Sequence, residues 1–201
     1  MDAALYRAVN RFAAHTGWAH WFFIGMAKYG IGLFAIALLA GWWLGRQASA
    51  PDGVVAVWWA GGAALIALGI AQLIGNAVDR GRPYTAMPTA HVLTSRTSDF
   101  SFPSDHATVA GAVAVGLLLA GAKFGSRRLG WLTVGLALLL AVSRVYVGVH
   151  YPGDVFAGLA LGGAVAAVGL PLVLFVFRPI EHRLSRTRLS ILFSRHTVRS
   201  R

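Results

Sequence analysis

SRVYVGVHYPGDVFAGLALGGAVAAVGLPLVLFVF, residues 143–177, sets a knot of ionisable residues against a long apolar run. After Arg144, His150 and Asp154, no charge appears before Arg178. A run of that length suffices for a membrane-crossing helix, which takes about 20 apolar residues. Ionisable groups at the mouth of such a segment are costly and mark function. Working outward, FPSDH at 102–106 opens another apolar segment, and DRGRP at 79–83 closes the one before it. Three polar knots on the ends of hydrophobic helices predict one shared site.

The composition agrees. Of 201 residues, 57% are hydrophobic and 12% charged, and the mean hydropathy is +0.63; soluble domains carry about 25% charge. This predicts a single integral membrane domain over 1–201, with an interfacial helix at 1–20, a transmembrane bundle at 22–177 and a basic tail at 178–201. The net charge of +11 comes without a continuous basic face carrying stacking aromatics, so no nucleic-acid partner is expected. There is no cysteine, which removes disulfides and thiolate metal sites. The opening MDAALYRAVNRF lacks the basic and apolar regions of a cleaved signal peptide.

Five continuous apolar stretches, roughly 22–45, 54–78, 105–122, 129–149 and 154–177, predict an all-α bundle of about five transmembrane helices rather than an alternating β-barrel. Gly and Ala recur within them, which favours close helix packing, although a compositional bias would give the same pattern. Ahead of them, Leu5, Val9, Phe12 and Ala13 recur at helical spacing, as in an interfacial helix or one packed on its own bundle. With five crossings, the loops at 45–53 and 122–128 and the tail share one face. That face holds Arg46, Lys123, Arg127, Arg128 and arginines 178, 183, 186, 188, 195, 199 and 201, so the positive-inside rule makes it cytoplasmic. The polar knots then face the extracytoplasmic side of the cytoplasmic membrane. Trp42, Trp43, Trp58 and Trp59 read as an aromatic belt at the cytoplasmic end.

The residue types suit phosphate chemistry. Ala107–Ala122 is an uncharged run of 16 residues, about 24 Å of helix against a hydrocarbon core of about 30 Å. Its polar end is expected at or just below the interface, where a lipid headgroup sits. Ser104, after Pro103, is a natural N-cap, and helix N-termini bind phosphate. Arg82 and Arg144 add permanently charged forks matched to phosphate oxygens. His106 and His150 can divide nucleophile and general-acid roles. Asp154, four residues after His150, can fix that ring's tautomer. No acidic cluster resembles a metal site. His15, His20, His91, His182 and His196 read as structural, and Asp79 and Asp99 as solvated loop charges.

These motifs resemble those of the type-2 phosphatidic acid phosphatase superfamily of membrane lipid phosphatases, relatives of the vanadium haloperoxidases. Its pattern is K-x6-RP, PSGH and SR-x5-H-x3-D. Here the third motif is complete in Ser143, Arg144, His150 and Asp154. The second reads Pro103, Ser104, Asp105, His106, with Asp replacing Gly, and the first keeps Arg82 and Pro83 but has Gly75 at the Lys position. The resemblance implies that His150 attacks phosphorus to give a phosphohistidine, Asp154 orients it, and His106 protonates the leaving group. Arg82, Ser104 and Arg144 would hold the phosphoryl oxygens, with backbone N–H groups of Asp105 and His106 assisting; neither metal nor other cofactor is implied. Arg80 is placed to replace the missing lysine, and the Asp105 carboxylate is expected to turn from the phosphate or to pair with an arginine. The PSDH variant resembles the bacitracin-resistance type of undecaprenyl-diphosphatase, implying a polyprenyl diphosphate substrate embedded among membrane lipids. The alternatives are a phosphatidylglycerophosphate or phosphatidic acid phosphatase and, in another class, a non-catalytic lipid-binding or transport protein.

Overall fold

The computed structural model describes residues 1–184, with side chains through Pro179. The expectations for arginines 186, 188, 195, 199 and 201 and for His196 lie outside those residues, and those for His182 and Arg183 outside the described side chains. The described residues are helical and contain no strand. Helix α1 (Asp2–His15) leads through a short turn to α2 (His20–Gln47), α3 (Pro51–Val78), the single turn α4 (Pro83–Ala86), α5 (Asp105–Lys123), α6 (Arg128–Tyr146) and α7 (Pro152–Leu184). Five of these are long and apolar enough to cross a membrane.

The breaks follow local chemistry. Pro51 opens α3, where its missing N–H costs no intrahelical bond. Asp79 ends α3 in the left-handed region at φ 48°, its N–H bonded to the Gly75 carbonyl at 2.9 Å. The fourth span stops at Tyr146 rather than continuing to 149, because Gly148 takes φ +85° and turns the chain. His150 therefore lies in a tight connection, and Pro152 starts α7.

Helix α5 is the centre of the bundle, packed against α2, α3, α6 and α7. Glycines permit this closeness. A Cβ on Gly162 of α7 would collide with the Thr108 carbonyl, and one on Gly111 of α5 with the Leu159 backbone. The Gly and Ala pattern is thus a packing device at the α5–α7 crossing. On the outside, Ile36, Leu65, Leu73, Leu132, Val168 and Phe175 are exposed, as suits side chains facing hydrocarbon. Trp59 departs from the expected belt: its indole donates to the Ala166 carbonyl at 2.8 Å and joins α3 to α7.

Helix α1 packs on the bundle through buried Tyr6 and Ala13, while Leu5 and Phe12 stay exposed. The Tyr6 hydroxyl donates to the Gly148 carbonyl at 3.1 Å. The loop after α4 is pinned at several points. Asn10 bonds both the N–H and the carbonyl of His91, at 2.9 and 2.6 Å, and the Leu93 N–H donates to the Val147 carbonyl at 3.0 Å. At the far end, Phe124 abuts Gly45 and Gly53, and Arg178 pairs with Asp52 at 2.9 Å. The two basic loops and the start of the tail therefore share one end of the bundle.

Replacing Gly162 with Val should overpack the α5–α7 crossing and destabilise the protein by about 1–3 kcal/mol. Thermal unfolding in detergent checks this, with Gly69→Ala, which meets open space, expected to unfold no earlier than wild type.

Candidate active site

At the opposite end, the three polar segments meet around a cavity of about 660 Å³. Arg82 comes from the start of α4, His106 from the first turn of α5, Arg144 from the last turn of α6 and His150 from the α6–α7 connection. Residues 92–95 and Thr97 of the pinned loop, with Lys28 of α2, close its sides. The two shortest spans, α5 and α6 at 19 residues each, thus turn their polar ends into the cavity.

His150 is 2% exposed, and its surroundings decide its tautomer. Nδ1 lies 2.9 Å from the Ser101 carbonyl oxygen, which can only accept, so Nδ1 carries the proton. Nε2 then holds a lone pair and accepts from Arg82 Nη1 at 3.3 Å. Burial pushes the imidazole pKa down, the Asp154 carboxylate opposes this, and the charges of Arg144 and Arg82 reinforce burial, leaving it at about 4. The ring is a neutral base directed at the cavity.

Asp154 acts differently from the expected orienting partner. Its carboxylate is 3.7 Å from His150 Nδ1, beyond a direct hydrogen bond. It instead accepts from the Ser101 hydroxyl, from the Tyr151 N–H at 2.8 Å and from Arg80 Nη1 at 2.7 Å. The main-chain carbonyl of Ser101 sets the tautomer, and Asp154 holds Ser101. Arg80 likewise departs from its expected phosphate role. Its fork bridges Asp154 and Asp2, each at 2.7 Å, over the Tyr151 ring, and it does not line the cavity.

Arg82 is buried and anchored by the Val149 carbonyl at 3.0 Å. Its other edge meets Asp99, with Nη2 to Oδ2 at 2.9 Å and Nε to Oδ1 at 3.1 Å. Asp99 is therefore no free solvated charge. Burial disfavours its ionised form, but hydrogen bonds from Thr97 and Arg82 and the Arg82 charge hold its pKa below the usual carboxylate range. Arg144 donates Nη1 to the Ala27 carbonyl at 3.2 Å, while its buried Nε has no partner. Ser104 occupies the N-cap of α5, and its own N–H donates to the Asp154 carbonyl at 3.1 Å. Its hydroxyl makes no cap bond and is buried without a partner. Among the described residues Asp105 pairs with no arginine: both carboxylate oxygens lie 2.9 Å from Gln72 Nε2, although the residue lines the cavity. Two guanidiniums and two histidines around one cavity can hold a tetrahedral oxyanion beside a neutral imidazole. Among the described residues, no three His, Asp or Glu side chains converge as a metal ion would require.

The PAP2 superfamily model matches residues 56–178, which include every residue of this constellation except the α1 and α2 contributions. The chain belongs to the PAP2 superfamily. It is a membrane lipid phosphatase of that superfamily. The undecaprenyl-diphosphatase BcrC of Bacillus subtilis is 33% identical over 88% of this chain and 84% of that protein. The decaprenylphosphoryl-5-phosphoribose phosphatase of Mycobacterium tuberculosis is 43% identical, over 54% of this chain and 56% of that protein. The crystal structure of Aquifex aeolicus LpxE shares the fold, with a TM-score of 0.62 and 22% identity over 85% of this chain and 94% of that one.

The motif reading singled out Arg82, His106, Arg144 and His150, which line this cavity, but did not foresee the contacts of Asp99, Ser101, Asp2, Gln72 and Lys28. Ser101 acts partly through its main-chain carbonyl, for which a side-chain pattern gives no signal. Asp2, whose carboxylate also accepts from the Gly153 N–H at 2.8 Å, and Gln72 lie far from the motifs in sequence. Lys28, which lies inside an apolar helix where the other lysine, Lys123, only ends one, was the one visible anomaly.

Three outcomes follow from this geometry. The neutral Nδ1–H tautomer of His150 should persist at pH 5.5 by nitrogen-15 NMR, where a free imidazole of pKa about 6.5 is mostly protonated. Because the unfolded chain binds a proton that the folded His150 refuses, its contribution to stability is full above about pH 6.5 and declines as pH falls toward about 4. Arg80→Met should leave the buried Asp154 carboxylate short of a countercharge. A loss of roughly 3 kcal/mol is expected, the low end for a broken buried pair, and steady-state kinetics should show kcat falling with KM little changed.

Proposed function

We propose that this PAP2 protein hydrolyses a polyprenyl diphosphate, with undecaprenyl diphosphate giving undecaprenyl phosphate and inorganic phosphate. The observation that carries the reading is the Nε2 lone pair of His150, held in the cavity 3.3 Å from Arg82 by a proton locked on Nδ1. In this mechanism Nε2 attacks the terminal phosphorus, forming an N–P bond as the bridging P–O bond breaks. His106, on the same cavity wall, gives a proton to the departing oxygen. The phosphorylated ring is a cation, which the Ser101 carbonyl and the nearby Asp154 charge stabilise. Water, deprotonated by His106, then attacks phosphorus and releases phosphate, restoring both histidines. Arg82 and Arg144 neutralise the equatorial oxygens, with the α5 N-terminus assisting.

A cavity fed by helix ends suits a lipid whose headgroup rests at the interface while its tail stays in hydrocarbon. The arginines and lysine at the opposite end support an extracytoplasmic site through the positive-inside rule. The polyprenyl diphosphate is favoured by the near full-length match to an undecaprenyl-diphosphatase. A second reading, a polyprenyl-linked sugar phosphate, is supported by the 43% identity to the phosphoribose phosphatase.

Purified protein in detergent should release phosphate from undecaprenyl diphosphate in the presence of a metal chelator. His150→Ala should lower turnover at least 1000-fold, about 4 kcal/mol of barrier, and a labelled phosphoenzyme should be trapped by acid quench in wild type alone. Full activity of that variant would sink the mechanism. A panel of undecaprenyl diphosphate, decaprenylphosphoryl phosphoribose 5-phosphate, phosphatidylglycerophosphate and phosphatidic acid ranks the substrates by kcat/KM.

A further inference from the structure

The superfamily places a lysine where this chain has Gly75, and in this structure the space over that glycine is tight. A Cβ on Gly75 would lie 3.2 Å from the Phe102 carbonyl oxygen and 3.5 Å from the Phe100 ring. The segment leading into α5 rests directly on that glycine. Helix α3 therefore contributes no cation to the cavity, and Arg80, the nearest substitute in sequence, is held by two carboxylates outside it.

A third cation enters from the other side. Ile24, Ala27 and Lys28 of α2 line the same cavity as Arg82, Arg144 and the two histidines. The helix is fastened at that point, because the Ala27 carbonyl accepts from Arg144 Nη1 at 3.2 Å. Among the described residues no carboxylate pairs with Lys28. Its ammonium lies 5.1 Å from the centre of the Tyr29 ring, on a flexible stem with three donors unpaired to any anion. A lysine in an apolar span is costly and calls for a reason.

We infer that Lys28 forms a second phosphate subsite, holding the lipid-proximal phosphate of a diphosphate ester while Arg82 and Arg144 hold the terminal one. This rests on the diphosphatase reading above and adds its specificity determinant. When the bridging P–O bond breaks, its electron pair stays on the bridging oxygen of the proximal phosphate, where negative charge builds until the proton from His106 arrives. An ammonium there favours the transition state over the bound ground state. A monophosphate ester has no group at that position, so Lys28 separates diphosphate from monophosphate lipids.

The test compares Lys28→Met and Lys28→Arg with wild type on undecaprenyl diphosphate and undecaprenyl monophosphate, whose tails are identical. Loss of one charge-assisted contact should lower kcat/KM for the diphosphate about 10- to 100-fold in Lys28→Met, with the monophosphate changed less than about twofold. Lys28→Arg should recover most of the diphosphate activity, and thermal unfolding of both variants should match wild type. Equal losses on both substrates, or no loss on either, would overturn the inference while leaving the diphosphatase reading intact. A wild-type protein active on the monophosphate alone would sink that reading and the inference with it.

Discussion

The buried carboxylate of Asp154 is the constraint around which this end of the molecule is arranged. A charge removed from water is tolerated only when its lone pairs are filled. Here Arg80, the Ser101 hydroxyl and the Tyr151 N–H fill them. Those donors come from the end of α3, the approach to α5 and the start of α7, so one carboxylate ties three separate segments. Asp2 extends the same chain of contacts into α1 through Arg80 and the Gly153 N–H. Ser101, once fixed, presents the carbonyl that sets the protonation pattern of His150. The protonation of His150 thus depends on a network of groups that lies behind the cavity wall.

The bundle beneath supplies the rigidity this requires. Helices α5 and α7 cross where Gly111 and Gly162 let backbone meet backbone, and the Ser104 N–H joins the start of α5 to the Asp154 carbonyl at 3.1 Å. Backbone-to-backbone contact leaves little room for the two helices to slide. The relative position of His106 on α5 and His150 beside α7 follows from that crossing. Trp59 reinforces it from α3 through the Ala166 carbonyl.

Much of this was legible in the sequence. Continuous apolar runs gave the five spans, and the three polar knots met because adjacent helix ends must share a membrane face. What escaped has a common physical cause. Asp99 looked like a loop charge because its pairing with Arg82 exists only after the loop folds back. Arg80 looked like a phosphate ligand because it lies two residues from one, yet the turn after Asp79 directs it to the other side. Ser104 sits at the N-cap without making the cap bond its side chain allows. Local propensity and spacing report on chain neighbours, whereas these assignments depend on which buried group most needs a partner.

The pairing of Arg82 with Asp99 gives the cavity a built-in competitor. The guanidinium is never bare: its outer edge already carries a carboxylate, on a side chain that remains largely exposed to solvent. An anion that takes that edge must exchange with Asp99, so its affinity is the difference between two charge-assisted pairs rather than the full strength of one. Such an exchange weakens the grip on any small anion that lacks further contacts. It also returns the buried arginine to a neutralised state each time the cavity empties.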